Sequence, residues 1–262
     1  MKIHQGAWVA WALCAGLAAV ATTDPFYLLP LTAVAWAVGA VHRGTGPWVR
    51  SFRTFFLFGA AALVVRTALV FLGPVSRGSV AFAALEGLRV AVLLVIFGAF
   101  NSVTDPFRLL RLAPRRFHEP ALAAALALSI APRTMVAAAK VREAQRLRGI
   151  ATRRWRSLPA LAVPVLETGM EEAVTLAESM DARGHGARRR TTYRRDRWGV
   201  GGWLVLTSAA AGAVLFGRAA LAGEPSLTLQ TFPLAWPDVS WTLVAAVLLF
   251  AAPVALPPGA RR

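Results

Sequence analysis

The chain has 262 residues, of which 56% are hydrophobic and only 16% charged. A soluble domain of this length carries about a quarter charged residues, and here the apolar residues come in long blocks rather than stripes, which argues against a soluble all-α protein and for a bilayer protein. The formal net charge of +16 is almost wholly arginine, since Lys2 and Lys140 are the only lysines, and the single cysteine, Cys14, excludes disulfide frameworks and clustered-thiol metal sites.

Six apolar stretches are long enough to be read as spans: Ala7–Thr22, Pro25–Val41, Thr54–Gly73, Val80–Val103, Gly199–Gly217 and Val239–Leu256. The first follows one basic residue without a convincing cleavage site and reads as a retained helix. Trp8, Trp11, Trp198 and Trp241 lie near segment ends, where an amphipathic ring prefers the headgroup zone. The expected fold is an all-α integral membrane protein of about six transmembrane helices. It comprises an N-terminal membrane domain (1–103), a helical cytoplasmic insertion (104–198) and C-terminal membrane helices (199–262).

Basic residues set the orientation. With Lys2 inside, the link at Thr23 and Asp24 falls outside, and Arg43, Arg50 and Arg53 fall inside. The turn Gly73–Ser79 is outside with only Arg77. Residues 104–198 then return most of the arginines to the cytoplasm, and Arg218–Asp238 lies outside. Arg261–Arg262 end inside, so every basic cluster lands on one face of a plasma-membrane protein with both termini cytoplasmic. The densest run, Gly186–Arg197, directly precedes a span and has Tyr193 as its one interleaved aromatic. Anionic lipid headgroups and topology control explain it better than nucleic acid.

The insertion reads as helical. Pro120 is placed as a first-turn proline before "ALAAALALSIA", an apolar run too short to cross and suited to the interface. Pro132 is expected to kink or restart that helix, which then runs to Gly149. A second helix is expected after Pro164. On it Leu166, Met170, Ala173, Ala177 and Met180 form one stripe, with Glu171, Glu172, Glu178 and Asp181 on the opposite side.

Both polar helices end alike, in Leu147-Arg148-Gly149 and Ala182-Arg183-Gly184. Glycine takes the left-handed conformation of a helix C′ position freely, and a cation favours the negative end of the helix dipole, so simple helix punctuation accounts for each ending alone. Two of them also present two guanidinium groups at the tips of rigid rods. A planar, permanently charged fork can pair with a carboxylate on a partner.

The segment "TDPFRLLRLAPRRFHEPALAAALALSIAPRTMVAAAKVREAQRLRG" followed by "AESMDARGHG" resembles the transmembrane T component of energy-coupling factor (ECF) transporters, the EcfT/CbiQ/BioN family. That family carries two X-Arg-Gly motifs, usually Ala-Arg-Gly, on cytoplasmic coupling helices. The second motif here matches fully, and the first has Leu147 at the variable position. "TTDPFYLLPL" is also similar to the family's Asn-Pro-containing N-terminal region, with Asp24 in place of asparagine. The resemblance implies that Arg148 and Arg183 dock on two ABC ATPase subunits, with Glu143, Gln145, Leu147, Asp181 and Ala182 shaping the contacts. It further implies that a membrane-embedded substrate-binding S component reorients to release a vitamin or transition metal.

The chain itself has no P-loop, because neither Lys2 nor Lys140 follows glycine, so ATP hydrolysis is expected in partner subunits and no cofactor is expected here. Arg66, Glu86 and Arg89 interrupt two apolar stretches. Arg66 and Glu86 are equidistant from Ser76 in the intervening turn, so an antiparallel hairpin puts them at similar depth as a charge pair or a partner contact. His4, His42, His118 and His185 show no metal-ligand spacing. The alternative function is an integral-membrane lipid- or prenyl-modifying enzyme using Glu171, Glu172 and Glu178 with a divalent ion. It would want two carboxylate clusters at the membrane face, and one acidic helix is present. A self-contained secondary transporter would show an internal repeat, and none is evident.

Overall fold

The computed structural model describes residues 3–42, 51–73, 75–149, 158–185, 198–227, 229 and 239–257. Every regular element among them is helical, and with several long apolar helices the chain is an all-α membrane protein. It divides into two compact units: Met1–Leu112 with Asp196–Arg262, and Ala113–Arg195.

The first unit contains α1 (Gln5–Ala21), α2 (Pro25–Val41), α3 (Ser51–Ala68) with a 3₁₀ extension Leu69–Leu72, α4 (Arg77–Val103), α5 (Pro106–Leu110), α8 (Val200–Ala222), α9 (Trp241–Phe250) and α10 (Ala252–Ala255). Local chemistry explains several starts. The tetrapeptide Thr-Asp-Pro-Phe occurs at Thr23–Phe26 and again at Thr104–Phe107. In both copies the aspartate Oδ1 accepts from the phenylalanine N–H, at 2.8 Å for Asp24 and 3.0 Å for Asp105. Proline then occupies the first helical position, where its missing N–H costs nothing. At the head of α4, Ser76 and Ser79 satisfy each other's backbone N–H in a capping box.

The core lies among α1, α2, α4, α8 and α9, where Trp11, Tyr27, Phe216 and Phe250 are fully buried. The Trp11 indole donates to the Phe250 carbonyl at 3.0 Å. Small residues let the helices approach. A Cβ on Gly87 would stand 3.0 Å from Leu63 Cα, and one on Gly98 2.8 Å from the Phe55 Cβ.

Four helical segments are long and apolar enough to cross a membrane: Phe52–Leu72, Arg77–Val103, Glu119–Leu147 and Val200–Ala222. The helices α1, α2 and α9 are shorter. The stretch Val239–Leu256, expected as one span, is instead two helices broken at Ala251 before Pro253. The ten residues of α9 reach about 15 Å, roughly half a hydrocarbon core.

In the second unit, α6 (His118–Leu147) continues through Pro132 and α7 (Leu158–Ala182) through Pro164, so neither proline restarts its helix. Alanine- and leucine-rich turns on both sides of Pro132 supply the propensity that outweighs one proline. The "ALAAALALSIA" run is therefore not an isolated short piece. Between Glu119 and Lys140 only Arg133 is charged. The expected stripe of α7 also divides. Ala173, Ala177 and Met180 face α6 across a cleft together with Asp181, whereas Leu166 and Met170 are 64% and 69% exposed. The insertion expected from residue 104 separates as a unit at Ala113, because α5 packs on α1.

Candidate functional site

The two Arg-Gly endings are built by the same backbone device. At the end of α7, the His185 N–H donates to the Met180 carbonyl at 2.9 Å and the Gly184 N–H to the Asp181 carbonyl at 2.8 Å. Gly184 has φ +75°, so this is a Schellman cap with glycine at C′. At the end of α6, the Gly149 N–H donates to the Arg146 carbonyl at 3.0 Å, with Gly149 at φ +77°. Any Cβ at either glycine would meet nothing within 4 Å, so it is the backbone conformation and not space that calls for glycine. His185 completes the second cap through its amide, a role signalled only by its position after Arg-Gly.

In both endings the arginine is therefore the cap residue, held where the chain turns sharply away from its helix. Arg148 and Arg183 are exposed, and among the described residues neither enters an ion pair. Leu147 is 86% exposed, an apolar side chain beside a free guanidinium. Glu143, Asp181 and Ala182 are also exposed. Gln145 is partly covered.

The structure keeps the two endings apart. The last turns of α7 and His185 line a cleft of about 450 Å³ with Leu126 and Ile130 of α6. Arg183 thus sits beside the N-terminal half of α6. Arg148 lies 18 residues beyond Ile130, about 27 Å of helix. Among its described residues the unit offers two separate cationic tips rather than one convergent basic site. Glu171, Glu172 and Glu178 are exposed along α7. The basic run Gly186–Arg197 lies outside the described residues, as do Lys2, Arg43, Arg50 and Arg261–Arg262.

The charged residues of the bundle are arranged differently from a cross-hairpin pair. Arg89 Nη1 lies 3.5 Å from Glu86 Oε1 within α4, and Arg89 Nε donates to the Ala19 carbonyl at 3.3 Å. Arg66 is exposed on α3 and stands outside this pair. Residues three apart on one helix are nearer neighbours than residues level across two helices when one of the two points outward.

Residues 2–193, which include both Arg-Gly endings, match the CbiQ family, described as cobalt transport protein. The chain belongs to the CbiQ family. This CbiQ-family chain is also 33% identical over 117 residues to the energy-coupling factor transporter transmembrane protein EcfT of Listeria innocua. That similarity spans 42% of the chain and 43% of the EcfT protein, less than half of either.

Proposed function

We propose that this protein is the transmembrane coupling subunit of an ECF-type ABC importer, taking up a vitamin or transition metal. Two ABC ATPase subunits supply the energy, and a membrane-embedded S component binds the substrate. The observation that carries the reading is the pair of exposed, capped arginines with no carboxylate partner among the described residues, 35 residues apart in the sequence and both inside the family match. A guanidinium at a helix end is permanently charged, and the glycine after it turns the chain away, leaving the fork open to a partner's acidic groove. Two such tips well apart suit two ATPase subunits. When nucleotide draws those subunits together, α6 and α7 are the rods that carry the motion. The chain lies in the plasma membrane with both termini cytoplasmic, as its basic clusters favour.

Recovery of both tagged ATPase subunits with membranes carrying Arg148→Glu plus Arg183→Glu tests this. Losing one partner of a desolvated charge pair costs about 2–5 kcal/mol, and reversal adds repulsion, so ATPase recovery should collapse while the membrane protein stays at normal levels. Unchanged recovery of both ATPases would remove the proposal.

A further inference from the structure

The bundle is much shorter on one side than on the other, and its membrane charges sit at the step. The registers between helices define one level. Leu63 packs on Gly87 and Gly59 on Ala91, so α3 and α4 run antiparallel and Arg66 stands level with Ala84. Gly39 of α2 packs on Ala99, and these helices run the same way, which puts Pro25 level with Leu85. The exit of α8 is tied to that level because Thr22 Oγ1 and the Thr23 N–H both donate to the Leu227 carbonyl, at 2.8 and 2.9 Å. The start of α9 joins them through the Ser240 N–H donating to the Tyr27 hydroxyl at 2.8 Å.

A single polar layer results. It holds Arg66, the Glu86–Arg89 pair, Asp24 and the Leu227 carbonyl. Its outer rim carries Trp241, 82% exposed at the head of α9, where an indole marks a headgroup boundary. Below this layer α1 is 17 residues long, about 25 Å, somewhat less than an average hydrocarbon core. Beyond it α4 continues from Ala84 to Arg77, about another 10 Å.

Among the described residues, Arg66 is the member of this layer left without an anion. It is exposed on α3, whose span is only 6% buried and which packs chiefly on α4, so in the isolated chain it faces the surrounding lipid. With no carboxylate beside it among the described residues, its planar fork is open to a lipid phosphate. We propose that Arg66 is a binding site for a phospholipid phosphate. It holds headgroups at the level of the α1–α2 link, about 10 Å below the tip of the α3–α4 hairpin, where Ser76 and Arg77 are exposed. Among the described residues Glu86 pairs with Arg89 and not with Arg66, and Arg89 also donates to the Ala19 carbonyl.

The test uses the full chain with Cys14→Ala in phosphatidylcholine–phosphatidylglycerol vesicles, with single spin labels replacing Phe58, Val65 or Leu69. Accessibility to a water-soluble nickel chelate is compared with accessibility to oxygen. Val65 and Leu69 should read as headgroup positions and Phe58 as hydrocarbon. With Arg66→Gln, the Val65 reading should fall to that of Phe58, and Arg66→Lys should restore it in part. Vesicles of a phosphate-free galactolipid should lower the wild-type Val65 reading as Arg66→Gln does. Hydrocarbon readings at Val65 and Leu69 in the wild type would overturn the proposal. So would an unchanged Val65 reading in Arg66→Gln, or in galactolipid. No partner protein is present, so a carboxylate from another membrane chain cannot produce the positive result.

Discussion

The membrane bundle and the α6–α7 unit draw on similar alanine- and leucine-rich sequence, yet only the bundle makes a core. In the bundle Trp11, Tyr27, Phe216 and Phe250 are below 2% exposed, whereas no described side chain between Ala113 and His185 is buried. The bundle is held by interlocked shapes: glycines against backbone, rings against rings and an indole on a carbonyl. The α6–α7 unit is held by helix propensity, caps and one loosely lined cleft. Tight packing transmits strain and resists change, while an uncovered pair of rods can move as a body or be covered by something else. The contrast supports the proposed division, with anchoring in one region and contact in the other.

Breaking the bundle should therefore have the largest effect. Gly87→Val places branched carbon where Leu63 Cα would already be 3.0 Å from a Cβ, and backbone cannot step aside as a side-chain end can. Because α3 packs chiefly on α4, the two helices must part. The expected cost is about 3 kcal/mol, at the upper end of ordinary overpacking, seen as loss of the monodisperse peak in fluorescence size-exclusion of detergent extracts. An unchanged peak and melting temperature would show that the α3–α4 contact is dispensable. Trp11→Phe is a smaller insult at a similar depth of burial. It strips the Phe250 carbonyl of its indole donor and should cost about 1–3 kcal/mol in thermal unfolding.

Titration offers a subtler probe of the same region. Asp24 is 1% exposed, and burial pushes its carboxyl above the usual carboxylate range, although the Phe26 N–H pulls the other way. A carboxyl raised on folding contributes its stability in full below its unfolded pKa of about 4, and that contribution is lost as pH rises through the folded value. Melting temperature should decline with rising pH across this interval, and Asp24→Asn should flatten the decline. An equal slope in both proteins would assign the pH dependence elsewhere.

Much of this organisation was legible in the residues, and its failures have definite causes. The apolar blocks marked membrane helices because composition alone settles their solvent. The Arg-Gly endings marked helix ends because a left-handed residue there favours glycine. Propensity carried α6 through Pro132 without a restart, at a site flanked by strong helix formers. The partner of Glu86 depended on which way Arg66 points around α3, which spacing from a turn does not encode. The stripe on α7 was periodic, as read, but period cannot say which part of a stripe meets a neighbour and which part is left open. Depth was legible; direction was not.

The smallest predicted effect sharpens the contrast by reversing its sign. Gly169 lies inside α7, and a Cβ there would meet nothing within 4 Å. Glycine in a helix interior costs about 0.5–1 kcal/mol relative to alanine through the freedom it loses on folding. With no neighbour to displace, Gly169→Ala should return that amount as added helix stability, read as slower amide hydrogen exchange across α7. The same change in the bundle, Gly87→Ala, should destabilise, because its new methyl meets the backbone of Leu63 at 3.0 Å. If both substitutions moved exchange in the same direction, packing would not be what separates the two regions. Opposite signs from one methyl group would tie the rigidity of the anchor and the openness of the α6–α7 rods to that single difference.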